Sequence, residues 1–292
     1  MMGIDSLNPL IVFIYFAFEI VMTVFCMNPF IGLISLSGAV FLRLLYGKKS
    51  NKSTFLFVII TAVLCAIINP LFSHNGRTAL LFVNNNPITL EAFLYGIGMG
   101  KTVAASILWC VSFSEIMTSD KVIYSVGSLS PKAALVLNMS LRFVPLFIRK
   151  AKEINDAQKA MGLYKDETIT GKIKGISRVF SAMLSYIIEN TIITANSMAS
   201  RGYSGEKRSR YALFTFTSYD FTFLIICIAL GAADVFMTAT GRFDFEYYPL
   251  IKSSSFDFIS ASGYIAFALY SLIPVISEGG ERIKWHFLKS KI

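Results

Sequence analysis

Apolar and polar residues are distributed along this chain in blocks that are longer than a strand or a surface helix requires. Six apolar blocks approach or exceed the ~20 residues that a helix needs to cross a bilayer. They cover residues 10–27, 30–46, 54–72, 90–113, 212–238 and 256–276. The pattern therefore predicts an all-α, polytopic membrane protein with about six transmembrane helices.

The region between the fourth and fifth blocks, residues 114–211, follows a different pattern. Its most apolar part, residues 131–149, is interrupted by Arg142 and Pro145. We therefore expect this part either to lie at the membrane interface or to dip into the membrane. A polar continuation of the helix, a connector over residues 163–175 and a second amphipathic helix are predicted to follow.

The second amphipathic helix carries apolar side chains at helical spacing, with polar side chains opposite. We expect this apolar face to pack in the core of a platform of helices. It consists of Ile176, Val179, Phe180, Met183, Leu184, Ile187, Ile188 and Thr191.

Composition and charge add an orientation to this pattern. Hydrophobic residues make up 54% of the chain and charged residues only 15%, whereas a soluble domain has about 25% charged residues. The formal net charge is +9, and 23 of the 27 Lys and Arg residues, Arg43 included, fall on one side of a six-span topology. Only Arg77, Arg242 and Lys252 fall on the other side. Such an asymmetry predicts a multi-pass cell-membrane protein with both termini in the cytoplasm, and no nucleic-acid partner is needed to explain the positive charge.

The predicted organisation has four parts. Residues 1–113 hold the N-terminal transmembrane helices, and residues 114–211 form a cytoplasmic coupling domain with two prominent helices. Residues 212–276 hold the C-terminal transmembrane helices, and residues 277–292 are a cytoplasmic tail. Because residues 1–8 lack the basic region of a signal peptide, the first span is expected to be retained.

The side chains that most often hold metals or act as nucleophiles are scattered. None of the four cysteines or two histidines is close to another in the sequence. They are Cys26, Cys65, Cys110, Cys227, His74 and His286. No metal site and no cofactor are expected. The GxxxxGK[ST] loop that holds ATP is also absent from the sequence, so the chain is predicted not to be an enzyme by itself.

Charged and small residues within the spans indicate how the helices pack. Glu19 and Lys101 lie inside apolar blocks, so we expect Glu19 to face other helices and Lys101 to be interior or to reach the membrane surface. Thr89 is expected to cap the fourth span. Three glycines in that span, which superficially resemble a dinucleotide-binding motif, are expected to let helices approach closely. They are Gly96, Gly98 and Gly100.

Two stretches of the middle region end in the same way. Residues 195–203 read Ala-Asn-Ser-Met-Ala-Ser-Arg-Gly-Tyr, and residues 157–162 read Ala-Gln-Lys-Ala-Met-Gly. Glycine is preferred just beyond a helix C-terminus, where the backbone needs a positive φ. A cation there also complements the helix dipole. Both stretches therefore predict blunt, close-packing helix ends that suit insertion into a groove on another protein.

These stretches, together with Leu-Arg-Phe-Val-Pro at residues 141–145 and four preceding spans, resemble the EcfT/CbiQ family. Members of that family are the transmembrane components of energy-coupling factor (ECF) transporters. The resemblance implies a scaffold with two cytoplasmic coupling helices, each of which ends in an Ala-Arg-Gly motif that docks on one of two ABC ATPase subunits. The same scaffold holds a separate substrate-binding membrane subunit, and ATP is hydrolysed by the partners.

The resemblance assigns the docking residues by position. The first motif falls on Ala160, Met161 and Gly162, and the second on Ser200, Arg201 and Gly202. Ser200 replaces the alanine of the family pattern, and Met161 replaces the arginine. The first site is therefore expected to dock by apolar packing or through a neighbouring lysine, Lys159 or Lys165. Residues expected to support the coupling helices are Arg142, Pro145, Ala157, Ala195 and Ala199.

Other functions remain possible at this stage. A permease subunit of a conventional ABC importer would present one coupling helix, which the doubled motif disfavours. An intramembrane enzyme would need polar residues that converge, but Glu19 and Lys101 are far apart in the sequence. A structural or receptor protein would leave the paired motifs unexplained. The substrate, whether a vitamin, a metal ion or another micronutrient, is left open.

Overall fold

A computed structural model describes residues 4–46, 51–73, 76–83, 86–163, 169–203, 214, 216–248, 252–253 and 257–289. The chain divides into two compact units. The first, which we call the membrane unit, consists of Met1–Val122 and Phe214–Ile292, and the second, the helical-pair unit, consists of Ile123–Leu213. The all-α class is confirmed, although two small hairpins of strands that the sequence did not predict are also present.

The described part of the membrane unit contains six long helices and two short hairpins. A short 3₁₀ turn, Ile4–Ser6, precedes them. The helices are α1 (Pro9–Phe25), α2 (Pro29–Tyr46), α3 (Asn51–Phe72), α4 (Leu90–Ile116), α8 (Ser218–Ala239) and α9 (Phe258–Lys289). The antiparallel hairpins are β1 (Ala79–Val83) with β2 (Asn86–Thr89), and β3 (Phe245–Glu246) with β4 (Lys252–Ser253).

Helices α1 and α8 run parallel and in register. At their starts, the backbone N–H of Asn8 donates to the Asp220 carboxylate at 2.9 Å. At their ends, Cys26 Sγ lies 3.6 Å from Thr238 Oγ1. The sequence separation is 212 residues at both contacts, so the two helices keep the same depth and direction throughout.

The core of the membrane unit is aromatic. Tyr15 of α1 stacks on Tyr270 of α9 with ring centroids 4.9 Å apart. Trp109 of α4 meets Phe16 edge-on, with centroids 5.7 Å apart. All four rings are buried, and such aromatic pairs add about 0.5–1.5 kcal/mol each beyond the burial of their surface. The cluster therefore fixes α1 against both α4 and α9.

Glycines bring α3 and α4 together, as expected. A Cβ on Gly100 would lie 2.6 Å from the carbonyl oxygen of Ala62, and one on Gly96 would lie 3.0 Å from that of Ala66. Because these distances are too short for a side chain, the close approach depends on glycine. Gly98 instead faces the Tyr247 hydroxyl in the loop after α8.

Capping residues set where two of the spans begin. Thr89 caps α4, as predicted, by accepting a hydrogen bond from the Ala92 N–H at 3.3 Å. Helix α8 begins at Ser218 rather than at residue 212, because Thr217 and Asp220 form a reciprocal capping box. The spacing Thr-x-x-Asp was the signal in the sequence for this start.

The helical-pair unit consists of the larger part of α5 (Ser119–Leu129), with α6 (Pro131–Ala160) and α7 (Ile169–Ser200). Helix α6 continues through Pro145 without a break. Helix α7 begins at Ile169, so the predicted connector over residues 163–175 is too long, and Gly175 is a buried helical residue.

Six of the described helices are long and apolar enough to cross a membrane. Five of them coincide with predicted spans: α2, α3, α4, α8 and α9. The sixth is α6, whereas the first predicted span corresponds to α1, an apolar helix of 17 residues. The multi-pass character is thus confirmed. Whether α1 and α6 are among the helices that cross the membrane depends on how the helices pack.

Candidate functional site

The first of the two predicted motifs ends α6 in a glycine-dependent cap. Gly162 has a φ of +70°. Its N–H donates to the Lys159 carbonyl at 2.9 Å, and the N–H of Leu163 donates to the Gln158 carbonyl at 3.2 Å. This pair of bonds is the Schellman motif, which satisfies carbonyls at the helix end that have no intrahelical partner. Met161 therefore occupies the last position before the chain reverses.

The second motif ends α7 with the same backbone. Gly202 has a φ of +73°, its N–H donates to the Ala199 carbonyl at 3.0 Å, and the N–H of Tyr203 donates to the Met198 carbonyl at 3.0 Å. Arg201 thus holds the position in α7 that Met161 holds in α6. We call the α6 end with Ala160, Met161 and Gly162 "tip one", and the α7 end with Ser200, Arg201 and Gly202 "tip two".

Both tips present their distinguishing side chains to the surroundings. Met161 is 67% exposed, an unusual state for a large apolar side chain at a helix end. Arg201 is also exposed, and within the described residues its guanidinium has no hydrogen bond or ion pair. Ala160 and Ser200 are exposed as well. Each tip is therefore available to a partner, one through an apolar side chain and the other through a cation.

The two tips lie at opposite ends of one helix pair. The ring centroids of Phe147 in α6 and Tyr186 in α7 are 6.4 Å apart. Nearer tip one, the guanidinium of Arg178 in α7 donates to the Leu163 carbonyl at 2.8 Å. Contacts that move forward along α6 thus move backward along α7, so the helices are antiparallel. Their C-terminal ends point in opposite directions and are separated by tens of ångströms, at about 1.5 Å per residue.

Arg178 is a residue that the sequence analysis did not select. Its bond to the Leu163 carbonyl, 15 positions away in the sequence, fixes the chain just beyond tip one. Only its place on the polar side of α7 was visible in the sequence, and its partner lies across a chain reversal. Arg178 is thus a positioning residue for tip one.

The described charged side chains next to tip one form only a weak ion pair. Lys159 lies 3.9 Å from Asp156, and both side chains are exposed, so this pair contributes little to stability. Lys165, the other lysine considered for this tip, lies outside the described residues. Tip one therefore presents an exposed apolar side chain, Met161, next to an exposed lysine, Lys159.

The residues expected to support the two helices are on the surface of the pair. Pro145 removes one backbone donor within α6, a feature that bends helices. The exposed set comprises Arg142, Pro145, Ala157, Ala195 and Ala199. Their small or surface-facing side chains leave the flanks of both tips open, and their supporting role stays a prediction.

The apolar face of α7 is only half covered, which corrects the expectation of core packing. Met183 is buried, whereas Phe180 is 63% exposed and Ile176 is 67% exposed. A groove of about 480 Å³ runs between α6 and α7 and is lined almost wholly by apolar side chains, among them Phe147 and Ile187. The pair therefore carries a large apolar surface that is not covered by the described residues of its own unit.

The chemistry of the site is that of binding. No group of three or more His, Cys, Asp or Glu residues that could hold a metal ion occurs in the described ranges. The tips offer one guanidinium, one thioether and tightly turned backbone. This arrangement suits contact with other proteins.

Comparison with known proteins agrees with the motifs. The chain matches the CbiQ family, described as cobalt transport protein, over residues 4–211. It is also similar to proteins named energy-coupling factor transporter transmembrane protein EcfT. The one from Lactobacillus helveticus is 31% identical over 108 residues, which is 36% of this chain and 39% of the relative.

Further EcfT proteins give the same result. The one from Streptococcus thermophilus is 28% identical over 152 residues, which is 47% of this chain and 58% of the relative. The one from Bacillus subtilis is 28% identical over 108 residues, which is 36% of this chain and 41% of the relative. The aligned part of the chain thus spans between 39% and 58% of the length of these relatives. The family match takes in the first four spans and both tips, and the chain therefore belongs to the EcfT/CbiQ family of transporter membrane proteins.

Proposed function

We propose that this protein is the transmembrane coupling component of an ECF-type importer. In this role it transmits the movement of two ABC ATPase subunits to a separate substrate-binding membrane subunit. The observation that carries the proposal is the pair of identically capped, exposed helix ends on one antiparallel helix pair. ATP hydrolysis belongs to the partners, and the cargo is a micronutrient such as a vitamin or a metal ion.

The length and direction of the helices suit mechanical coupling. Helix α6 has 30 residues and α7 has 32, which gives each a length of about 45–50 Å. Since the tips lie at opposite ends of the pair, one small partner cannot contact both at once. Two similar subunits, each with a groove for a helix end, fit this spacing. Closure of the two subunits would then rotate α6 and α7 against each other.

Packing within the membrane unit supports placing both tips on the same side as the N-terminus. Because α1 runs parallel to α8 over its whole length, α1 crosses the same layer as α8 despite its shorter apolar stretch. Helices α1 to α4 cross the membrane four times and so return the chain to the side on which it started. Because α8 runs parallel to α1, it must begin on that same side. The number of crossings between α4 and α8 is therefore even.

That requirement bears on α6. Among the described helices of the intervening segment, α6 is long and apolar enough to span, but α7 is not. A crossing by α6 alone would make the number odd and would reverse α8. We therefore infer that α6 does not cross the membrane and that both tips stay on the side of the N-terminus. The excess of Lys and Arg identifies that side as the cytoplasm.

The different side chains at the tips indicate two kinds of contact. Arg201 can make charge-assisted, bidentate hydrogen bonds to a carboxylate of an ATPase subunit. Met161 cannot, but its flexible thioether side chain fits an irregular apolar pocket. Tip one therefore docks by packing and tip two by charge.

The exposed apolar face of α7 supports a site for the substrate-binding subunit. Phe180, Leu184 and Ile188 follow one another along this face and are 43–63% exposed. Contiguous apolar surface of this kind marks contact with a protein or a membrane. A helix of another membrane protein has the matching chemistry, so we assign the groove between α6 and α7 to the substrate-binding subunit.

Affinity purification from the native membrane tests the proposed function. The tagged chain is extracted in mild detergent, and the co-purifying proteins are identified by mass spectrometry. We expect P-loop ATPases and a small integral membrane protein in stable proportion to the tagged chain. A preparation in which the chain is intact but no P-loop protein is enriched over a mock purification would contradict the proposal.

Cysteine labelling tests the orientation separately. Met161→Cys and Arg201→Cys are treated with a membrane-impermeant maleimide in right-side-out and inside-out vesicles. We expect labelling above the wild-type background in inside-out vesicles only. Phe82→Cys, at a position 73% exposed in the β1–β2 hairpin, is the matched control and should show the opposite result. Labelling of all three positions from one side would refute the topology.

A further inference from the structure

Two acidic side chains are enclosed in the membrane unit. Glu19 of α1 and Asp234 of α8 are each 0% exposed. None of their four carboxylate oxygens has a hydrogen-bond partner among the described residues. Neither residue takes part in the proposed docking of ATPases.

The polar groups nearest Glu19 bond to one another and to the backbone. The Thr23 hydroxyl donates to the Glu19 backbone carbonyl at 2.8 Å. The Ser35 and Thr23 hydroxyl oxygens are 2.6 Å apart, and either can be the donor. The Trp109 indole N–H donates to Ser35 at 2.9 Å. The Ser35 side chain lies close to Glu19, but none of these groups has hydrogen-bond geometry to the Glu19 carboxylate.

The surroundings of Asp234 repeat this arrangement. The Thr238 hydroxyl donates to the Asp234 backbone carbonyl at 2.9 Å, one turn along the helix, as Thr23 does to Glu19. Cys26 Sγ lies 3.6 Å from the same hydroxyl, and either group can be the donor. The Asp234 carboxylate, like that of Glu19, receives no hydrogen bond from the described residues.

Positive side chains in the spans are engaged elsewhere. Arg43 forms an ion pair with Glu115. The Lys101 ammonium donates to the Pro29 carbonyl at 2.6 Å. An ionised carboxylate enclosed in a protein interior without donors or a counter-ion is strongly destabilised. Its charge is neutralised when it binds a cation, such as a proton.

We propose that Glu19 and Asp234 form a proton-binding site in the membrane unit, in which each carboxyl group holds one proton. A protonated carboxyl group carries no charge, so protonation removes the cost of enclosing these side chains without a counter-ion. A proton suits this site better than a metal ion, because no cluster of three or more His, Cys, Asp or Glu residues surrounds it in the described ranges.

A pocket opens at the end of the unit near Asp234. Its volume is about 240 Å³, and its lining includes Cys26 and Thr238 together with Asp244 and Glu246. Cys26 and Thr238 are the residues that adjoin Asp234, and Asp244 and Glu246 are acidic groups in the segment after α8. Neither Glu19 nor Asp234 lines the pocket, so a proton that enters there reaches Asp234 past Cys26 and Thr238.

The groups that face the pair from each packed element are known. Tyr15 and Cys26 face it from α1, and Tyr270 faces it from α9. From α2 and α4 the facing groups are Ser35 and Trp109, which do not titrate. None of these side chains carries a positive charge. Within the described core, no facing side chain can therefore neutralise the two carboxylates in place of a proton.

Infrared spectroscopy of the full-length chain in lipid nanodiscs tests this inference. A protonated carboxyl group gives a carbonyl band that is separate from the amide bands and shifts in D₂O. We expect this band in the wild-type protein at neutral pH. Glu19→Gln and Asp234→Asn should each remove part of it, and the double variant should remove it entirely. Glu189→Gln, which changes an exposed carboxylate of α7, is the matched control and should leave the band intact.

Three other outcomes would overturn the proposal. The band could be absent from the folded wild-type chain at neutral pH, or it could survive the double substitution. It could also appear only when Na⁺ is removed, which would identify a metal cation as the occupant. If the double variant fails to fold, the two single variants, each of which should remove part of the band, decide the assignment. None of these outcomes depends on the ATPases, so failure here leaves the proposed coupling function untouched.

Discussion

Tip one and tip two have the same backbone and different side chains. Both end in a glycine with φ near +70° and both close with the same two hydrogen bonds. The residue just before that glycine is Met161 in one and Arg201 in the other. The comparison separates two tasks, because the backbone decides how the helix end is presented and the side chain decides which surface it can bind.

A third helix end in the described residues has the same backbone as the two tips. Helix α8 also closes with a Schellman motif, in which Gly241 has a φ of +68° and the N–H of Arg242 donates to the Met237 carbonyl at 3.1 Å. Its last residue is Thr240, and it belongs to the membrane unit. This helix end therefore offers matched controls for the two tips, with the same local geometry in another part of the molecule.

The largest effect is expected from charge reversal at tip two. Arg201→Glu removes the guanidinium and places a negative charge against the carboxylate that we assign to the ATPase. Loss of one partner of a buried, hydrogen-bonded charge pair costs about 2–5 kcal/mol. We therefore expect ATPase binding to weaken by roughly 30-fold to several thousand-fold, as measured by the amount of ATPase retained in a detergent pull-down.

The control for this change is Thr240→Glu, which places the same charge at the equivalent position of α8. It should retain ATPase at the wild-type level, and both variants should insert into the membrane normally. If Arg201→Glu retains the ATPase as well as the control does, tip two is not a charged docking site.

A smaller effect is expected from the backbone of tip two. Gly202→Ala forces an L-residue into the left-handed region, at a cost of about 1–2 kcal/mol. No atom of the described residues lies within 4 Å of the added Cβ, so the strain that they impose is conformational. The last turn should unwind, and the affinity for the ATPase should fall by about 5- to 30-fold, as measured by titration of the purified ATPase.

Gly241→Ala serves as the comparison, since it imposes the same backbone strain at the end of α8. Both variants should lower the thermal unfolding temperature, but only Gly202→Ala should weaken ATPase binding. Equal affinities for the two variants would show that the geometry of tip two is irrelevant to docking.

The glycines at the tips could be recognised from the sequence because their effect is local. A positive φ is a property of a single residue, so Gly162 and Gly202 mark helix ends in any fold. The same reasoning failed for the predicted connector, because Gly171 and Gly175 lie inside α7. There the tertiary position of Gly175, which is buried, outweighs the weak helical preference of glycine.

The apolar face of α7 shows a second limit of sequence reasoning. Helical spacing identified which side chains share a face, but it could not show what covers them. In the structure Met183 is buried, whereas Phe180, on the same face, is exposed. The hydrogen bond from Arg178 to the Leu163 carbonyl likewise could not be predicted from the sequence, since it depends on how the chain reverses between α6 and α7.

The smallest and most informative effect is expected at tip one. Met161→Arg gives it the side chain of tip two on an equivalent backbone. If the facing ATPase surface offers a carboxylate, affinity should stay the same or rise by up to about tenfold, which corresponds to 1.4 kcal/mol. Met161→Leu, which keeps an apolar side chain of similar volume, is the control and should stay close to the wild-type affinity. A marked loss for Met161→Arg beside a neutral Met161→Leu would show that tip one enters an apolar pocket, because a guanidinium buried there has no partner. The two tips would then recognise chemically different surfaces, and the ATPase subunits that carry those surfaces would differ at their docking grooves.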